Sequence, residues 1–227
     1  MNTTNANFKK FKDDLKALCK KHKIKLKLIH EKMIPYENNS KITVSGYFST
    51  GTDTLAVATN KNKADWWEIL THESCHLDQY IEDSEYWVDQ EICEVDVNAM
   101  LDLWLNKHIE MTDKQVQKVI KKIIDCERDC DRRAIEKIKK YKLDDVIDLD
   151  VYAQKANAYH LSYYAVRKLR KWNKPLHAAY QIKEIVNMFP TTLNKGYTLT
   201  KSQFLAMSNK CYSLTKSETR KVTRLCR

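Results

Sequence analysis

Residues Trp66 to Tyr80 read WWEILTHESCHLDQY, and this stretch decides how the rest of the chain is understood. Its apolar residues recur at helical spacing, and Asp65 can cap the helix with Glu68 in the third position of a capping box. On a helix His72 and His76 leave the same face one turn apart, so both imidazoles can reach one metal ion. Glu73 projects beside them, within a carboxylate's reach of a water at such an ion. Glu73 falls in a stripe with Trp66, Leu70 and Leu77, and the histidines line up with Ile69 and Tyr80. Burying three polar groups on apolar stripes costs several kcal/mol unless they have partners, and a metal ion with its water would be such partners.

Outward from this helix the chain divides in character. Phe8, Phe11, Leu15 and Leu18 give residues 7–23 one apolar side, as a helix would. KIKLKLIH (Lys23 to His30) alternates basic and apolar residues, and KITVSGYFST and DTLAVATN follow as two more strands joined near Gly51, so a small antiparallel sheet is expected. Helices are expected at residues 86–105, 113–141, 151–172 and 174–188, with FPTTLNKGYTLTKSQF as the one later loop. Only 3 glycines and 3 prolines in 227 residues agree with a mainly helical α+β fold. The expected organisation is one domain over residues 1–190, with a basic extension at 191–227 that packs on it or follows it.

Composition excludes several classes. Hydrophobic residues make up 43% and charged ones 31%, which suits a folded protein rather than a disordered one. No apolar run is long enough for a bilayer and no signal-peptide pattern opens the chain, so a cytoplasmic location without membrane partners is expected. The net charge of +10 is mostly lysine spread along helices, which reads as solvated surface. The 7 cysteines lack the framework of a small secreted domain and are expected to be free thiols.

A third metal ligand must come from elsewhere. Glu94 and Glu127 each stand one turn before an amide or carboxylate, Asn98 and Asp131. Ile120, Ile123, Ile124, Glu127, Ala134 and Ile138 keep helical spacing, which sets Glu127 on an apolar face, whereas Glu94 shares a stripe with Glu91, Asn98 and Asp102. A carboxylate among core residues needs a cation, so Glu127 is preferred over Glu94. Zinc suits two histidines and a carboxylate with one open position.

His72-Glu73-x-x-His76 followed by Glu127-x-x-x-Asp131 resembles the gluzincin branch of zinc metallopeptidases. The resemblance implies that His72, His76 and Glu127 bind zinc, that Glu73 is the general base, and that Asp131 orients a zinc histidine from behind. It also implies a minimal zincin-like fold, in which an edge strand before the HExxH helix aligns the peptide, a role open to residues 53–60. THESCHLDQY, CERDCDRRAIEKIKKYKL and YAQKANAYHLSYYAVRKLRKW further resemble small HExxH proteins of tailed phages, which would place the chain in a host cytoplasm. Ser74 stands where zincin helices usually carry an apolar residue. Tyr159, His160 and Tyr163 are candidates to steady an oxyanion, as a Tyr or His of the helical half does in gluzincins. Cys126 and Cys130 flank Glu127 at a spacing that could suggest a thiolate metal site, but no second cysteine pair stands at finger spacing to close it, so they read as packed thiols, as does Cys75. Asn157 reads as a side chain that could make a backbone contact.

The expected activity is therefore zinc-dependent endopeptidase hydrolysis of a protein or peptide, with a zinc-activated water and Glu73 as base. The competing expectation is a non-catalytic zinc-stabilised module that grips nucleic acid or an acidic protein through VRKLRKW and TRKVTRLCR, although no nucleic-acid-binding motif accompanies them. Glu73 separates the two, because a structural site has no use for a base.

Overall fold

The computed structural model describes all residues except 1–2, 38–41, 89–90, 93–94, 175–176, 197 and 226–227. It is mainly helical with a small mixed sheet, and it divides into two units: residues 1–88 with 129–149, and residues 89–128 with 150–227. Helix α5 (Asp113–Lys140) contributes residues to both.

The first unit opens with α1 (Thr3–Lys21), which buries Phe8, Phe11, Leu15 and Cys19. Phe8 stacks on Trp67 with ring centroids 3.7 Å apart. The strands are β1 (Lys25–Ile29), β2 (Ile34–Pro35), β3 (Thr43–Val44), β4 (Gly46–Ser49) and β5 (Thr54–Ala58). The three-stranded sheet has the order β1-β5-β4, with β5 parallel to β1 and antiparallel to β4, while β2 and β3 form their own ladder. The antiparallel expectation is thus corrected to a mixed sheet. Alternation marks strands but not their direction, and the chain between β1 and β5, which holds β2 to β4, is long enough to return the backbone for a parallel pairing.

A second correction follows from the strand order. The residues expected to form a substrate-aligning edge, 53–60, contain β5, which is central and buried along its whole length. Its backbone groups are taken by β1 on one side and β4 on the other, so among the described residues the edges of this sheet are β1 and β4. The apolar run Leu55-Ala56-Val57-Ala58 fits that position, because a strand covered on both faces has no polar alternation. Ala56 and Ala58 pack with Ile34 and Tyr47 on one face. On the other face, α2 (Lys63–Ile81) lies against β4 and β5. The short α3 (Glu85–Val88) ends this run, and residues 129–149 complete the unit.

In the second unit, the helix expected over 86–105 is not continuous. Residues Glu91–Ile92 and Val95–Asp96 pair as a minimal ladder, β6 and β7, and α4 (Val97–Leu105) begins only after it. Asp96 accepts hydrogen bonds from the backbone N–H groups of Asn98 and Ala99 at 2.9 and 3.0 Å, so a local N-cap wins over helix continuity. Leu101 and Trp104 from α4 pack with Ile120, Ile123 and Ile124 from α5 and with Leu161 and Val166 from α6 (Leu149–Leu169). The helix expected at 174–188 shrinks to a 3-10 turn, Ala179–Gln181, and α7 (Lys183–Val186), because Ala178 and Ile182 are extended and neither caps with its side chain. Residues 191–227 supply α8 (Lys201–Cys211) and α9 (Lys216–Leu225), and Phe204, Met207, Cys211 and Val222 join the same core. Buried Asn157 donates to the carbonyls of Pro190 and Thr192 and accepts from the Asn194 N–H at 2.7 Å, which pins the loop before α8.

Candidate metal centre

Helix α2 starts at Asn62 rather than at the expected Asp65 cap: the Asn62 side chain accepts the Asp65 N–H at 2.9 Å. Trp67, Leu70, Thr71, Ser74, Cys75 and Leu77 form its buried side. The hydroxyls on that side are satisfied locally, Thr71 donating to the Trp67 carbonyl and Ser74 to the Thr71 carbonyl. Lys137 donates to Ser74 Oγ at 2.9 Å and pairs with Asp78 at 2.6 Å. Ser74 is thus the foot of an ammonium that burial would otherwise disfavour. His72, Glu73 and His76 lie half-buried on the flank of the helix, not on the fully buried stripes expected from their spacing. They face partly toward solvent, as groups meant to meet a ligand must.

The two imidazoles stand 4.9 Å apart, nearly perpendicular. Each has its Nδ1 engaged. His72 Nδ1 lies 2.9 Å from Asp131 Oδ1, and His76 Nδ1 lies 2.9 Å from Gln79 Oε1. A carboxylate can only accept, so the proton of a neutral His72 belongs on Nδ1, which leaves Nε2 as the nitrogen with the lone pair. The Cys130 thiol sits on the Nδ1 side of His72, 3.7 Å from that nitrogen, and donates to the His72 carbonyl at 3.2 Å. His72, His76 and Cys130 form a group whose donor atoms lie within 4.8 Å of one another and which could hold a metal ion.

Behind Gln79 is Asp129, accepting from Gln79 Nε2 at 2.9 Å and from Arg132 and Arg133 at 2.7 Å each. Burial would raise the Asp129 carboxyl, but the bonds from Gln79, Arg132 and Arg133 outweigh it and hold the group below the ordinary carboxylate range. Cys75 is buried beside Cys130. Burial opposes its ionisation, yet hydrogen bonding with Cys130 and the charge of Lys137 bring its thiol below the usual value.

The sheet passes close to Glu73. A Cβ built on Gly46, the first residue of β4, would come 2.6 Å from Ile69 Cγ2 and 3.2 Å from Glu73 Cγ. The absence of a side chain at Gly46 is therefore what lets the edge strand and the Glu73 turn of α2 meet. Past Gly46 on the same face, Phe48 contacts Tyr80 and Trp87, and Trp87 contacts His76.

Within the first unit the structure brings together His72, Glu73, His76 and Asp131. Gln79 and Asp129 join them, which no sequence motif marks, and so does Cys130, which the sequence reads as a packed thiol rather than a metal ligand. Gln79 could have been noticed, since it lies three residues past His76 and so on the same face one turn on. Glu127 belongs to the second unit, half-buried on α5 one turn before Asp131. Tyr159 and Tyr163 share that unit, their hydroxyls 3.0 Å apart, and burial followed by the Glu127 charge pushes both phenols above their usual value. His160 is buried on the same helix, α6. Glu94 lies outside the described residues. No helix among the described residues is long and apolar enough to cross a membrane.

Comparison of the chain with protein-family models, with curated proteins and with solved structures finds no match in any of the three.

Proposed function

We propose that the chain is a zinc-dependent peptidase of gluzincin type, built on a minimal zincin-like fold, with His72, His76 and Glu127 as the zinc ligands. The observation that carries the reading is the engagement of both histidine Nδ1 atoms by acceptors, Asp131 for His72 and Gln79 for His76. This is how metal-binding histidines are prepared: the outer N–H is fixed, the ring is oriented and the inner nitrogen gains basicity. Two half-buried imidazoles on one helix flank, with a carboxylate between them in sequence, match the donor chemistry of zinc. Glu127 is chosen as third ligand because it precedes Asp131 by one turn of the same uninterrupted helix.

Zinc, when bound, would supply Lewis-acid polarisation of the scissile carbonyl and lower the pKa of a coordinated water. Glu73 takes a proton from the attacking water and returns it to the departing amine. Asp131 and Gln79 hold the two imidazoles in the tautomer that the metal needs. The edge strand β4 meets α2 at Glu73 and so replaces residues 53–60 as the strand of the sheet that would align an extended peptide. Tyr159 and His160 remain the candidates to steady an oxyanion.

The test is Glu73→Gln. The amide keeps the shape of the side chain and removes the base, so zinc content should equal wild type while hydrolysis of a peptide library falls by about 10²–10⁴-fold. A variant that cleaves as fast as wild type would remove Glu73 from the chemistry.

A further inference from the structure

We propose that Gln79 is the positioning residue of His76, acting as an amide relay that transmits the fixed orientation of Asp129 to the imidazole. The proposal rests on the reading of His76 as a zinc ligand. Its logic is a chain of obligatory donors and acceptors. Asp129 is almost fully buried and accepts from Arg132 on Oδ1 and from Arg133 and Gln79 on Oδ2. Arg133 in turn donates to Glu82 at 2.6 Å, which fixes the guanidinium from its far side. A carboxylate between two guanidiniums offers only lone pairs, so the Gln79 group that faces it must be the NH₂.

That choice settles the other end of the amide. With its NH₂ on Asp129, Gln79 presents Oε1 to His76 Nδ1 at 2.9 Å. Oε1 can only accept, so His76 must carry its proton on Nδ1, and its lone pair is on Nε2. Gln79 is fully buried, so water does not compete for either end. The two histidines are therefore prepared by different devices. His72 meets a carboxylate directly, whereas His76 meets a neutral amide with a carboxylate behind it. A neutral acceptor orients the ring without placing a second full negative charge on the imidazole, so the relay separates orientation from charge.

Two measurements test this. The first is the tautomer of His76 in metal-free, histidine-labelled protein, read from two-bond ¹⁵N–¹H correlations at a pH where the imidazole is neutral and assigned with His76→Gln. Wild type should show the Nδ1–H form, and Gln79→Met should move His76 toward the Nε2–H form. The second is zinc affinity by competition with a chromophoric chelator. Gln79→Met should weaken binding by about 10–100-fold. An Nε2–H His76 in wild type would overturn the relay even if Gln79→Met failed to fold. Unchanged zinc affinity in Gln79→Met would overturn it as well. Wild type that binds no zinc, yet shows the Nδ1–H tautomer lost in Gln79→Met, would refute the zinc reading and leave the relay standing.

Discussion

His72 has two sides, and the proposed metal lies on only one of them. The Nδ1 side carries Asp131 Oδ1 at 2.9 Å and the Cys130 thiol at 3.7 Å. A metal held by His72, His76 and Cys130 through that side would have to displace Asp131. A metal held through Nε2 keeps Asp131 as the orienting group and leaves Cys130 a packed thiol. Asp131→Ala and Cys130→Ala separate these arrangements. The Asp131 carboxylate is only 5% exposed and the His72 ring 21%, so a water can replace this hydrogen bond only in part. Its loss should weaken zinc binding by about 10–100-fold, or ~1.4–2.7 kcal/mol. Cys130→Ala removes one buried heavy atom and a weak thiol hydrogen bond, which should cost ~1 kcal/mol of folding stability while zinc affinity hardly changes. Glu127→Ala, by contrast, should reduce zinc affinity more than either. The assay is chelator competition, with cobalt substitution as a second readout, since a thiolate ligand gives a charge-transfer band that an imidazole and carboxylate set does not. Loss of the metal in Cys130→Ala together with its retention in Asp131→Ala would refute the Nε2 placement.

Two other perturbations probe the surroundings of the site. Gly46→Ala would drive a methyl to 2.6 Å from Ile69 Cγ2, so it should destabilise the fold by ~1–3 kcal/mol and slow hydrolysis while leaving zinc stoichiometry intact; thermal melts and metal analysis check both halves. Tyr141 bridges to Asp14 on α1 with its hydroxyl at 2.9 Å, and burial, then that bond, pushes its phenol up to about 12. A group raised in the folded state stabilises below its unfolded value and loses that contribution as pH rises. Stability should therefore fall as pH rises from about 10 toward about 12, with a smaller fall in Tyr141→Phe by alkaline denaturation.

How much could be read from the sequence depended on whether the signal was local. The flank that gathers His72, Glu73 and His76 follows from helical spacing alone, and so does the amphipathic face of α5, whose Ile120, Ile123, Ile124, Ala134 and Ile138 are all buried. Three residues past His76, Gln79 shares the histidine face by spacing alone, but its bond to Asp129 was not legible, because that partner arrives from a helix fifty residues away. Strand direction was illegible for a related reason. The alternation in KIKLKLIH marks a strand with one wet face, but whether β5 runs with or against it is decided by the path of the intervening chain. The break before α4 was in principle legible in Asp96, an N-cap residue inside an otherwise helical pattern. Helical periodicity on both sides of it masked that signal.

The proposal that His72 and His76 hold a metal together stands or falls on stoichiometry. The most direct measurement is the zinc content, by elemental analysis, of wild type, His72→Ala and His76→Ala purified without chelator. One zinc per wild-type chain and almost none in either variant is the expected result. Equal zinc content in all three, whether high or negligible, would contradict it.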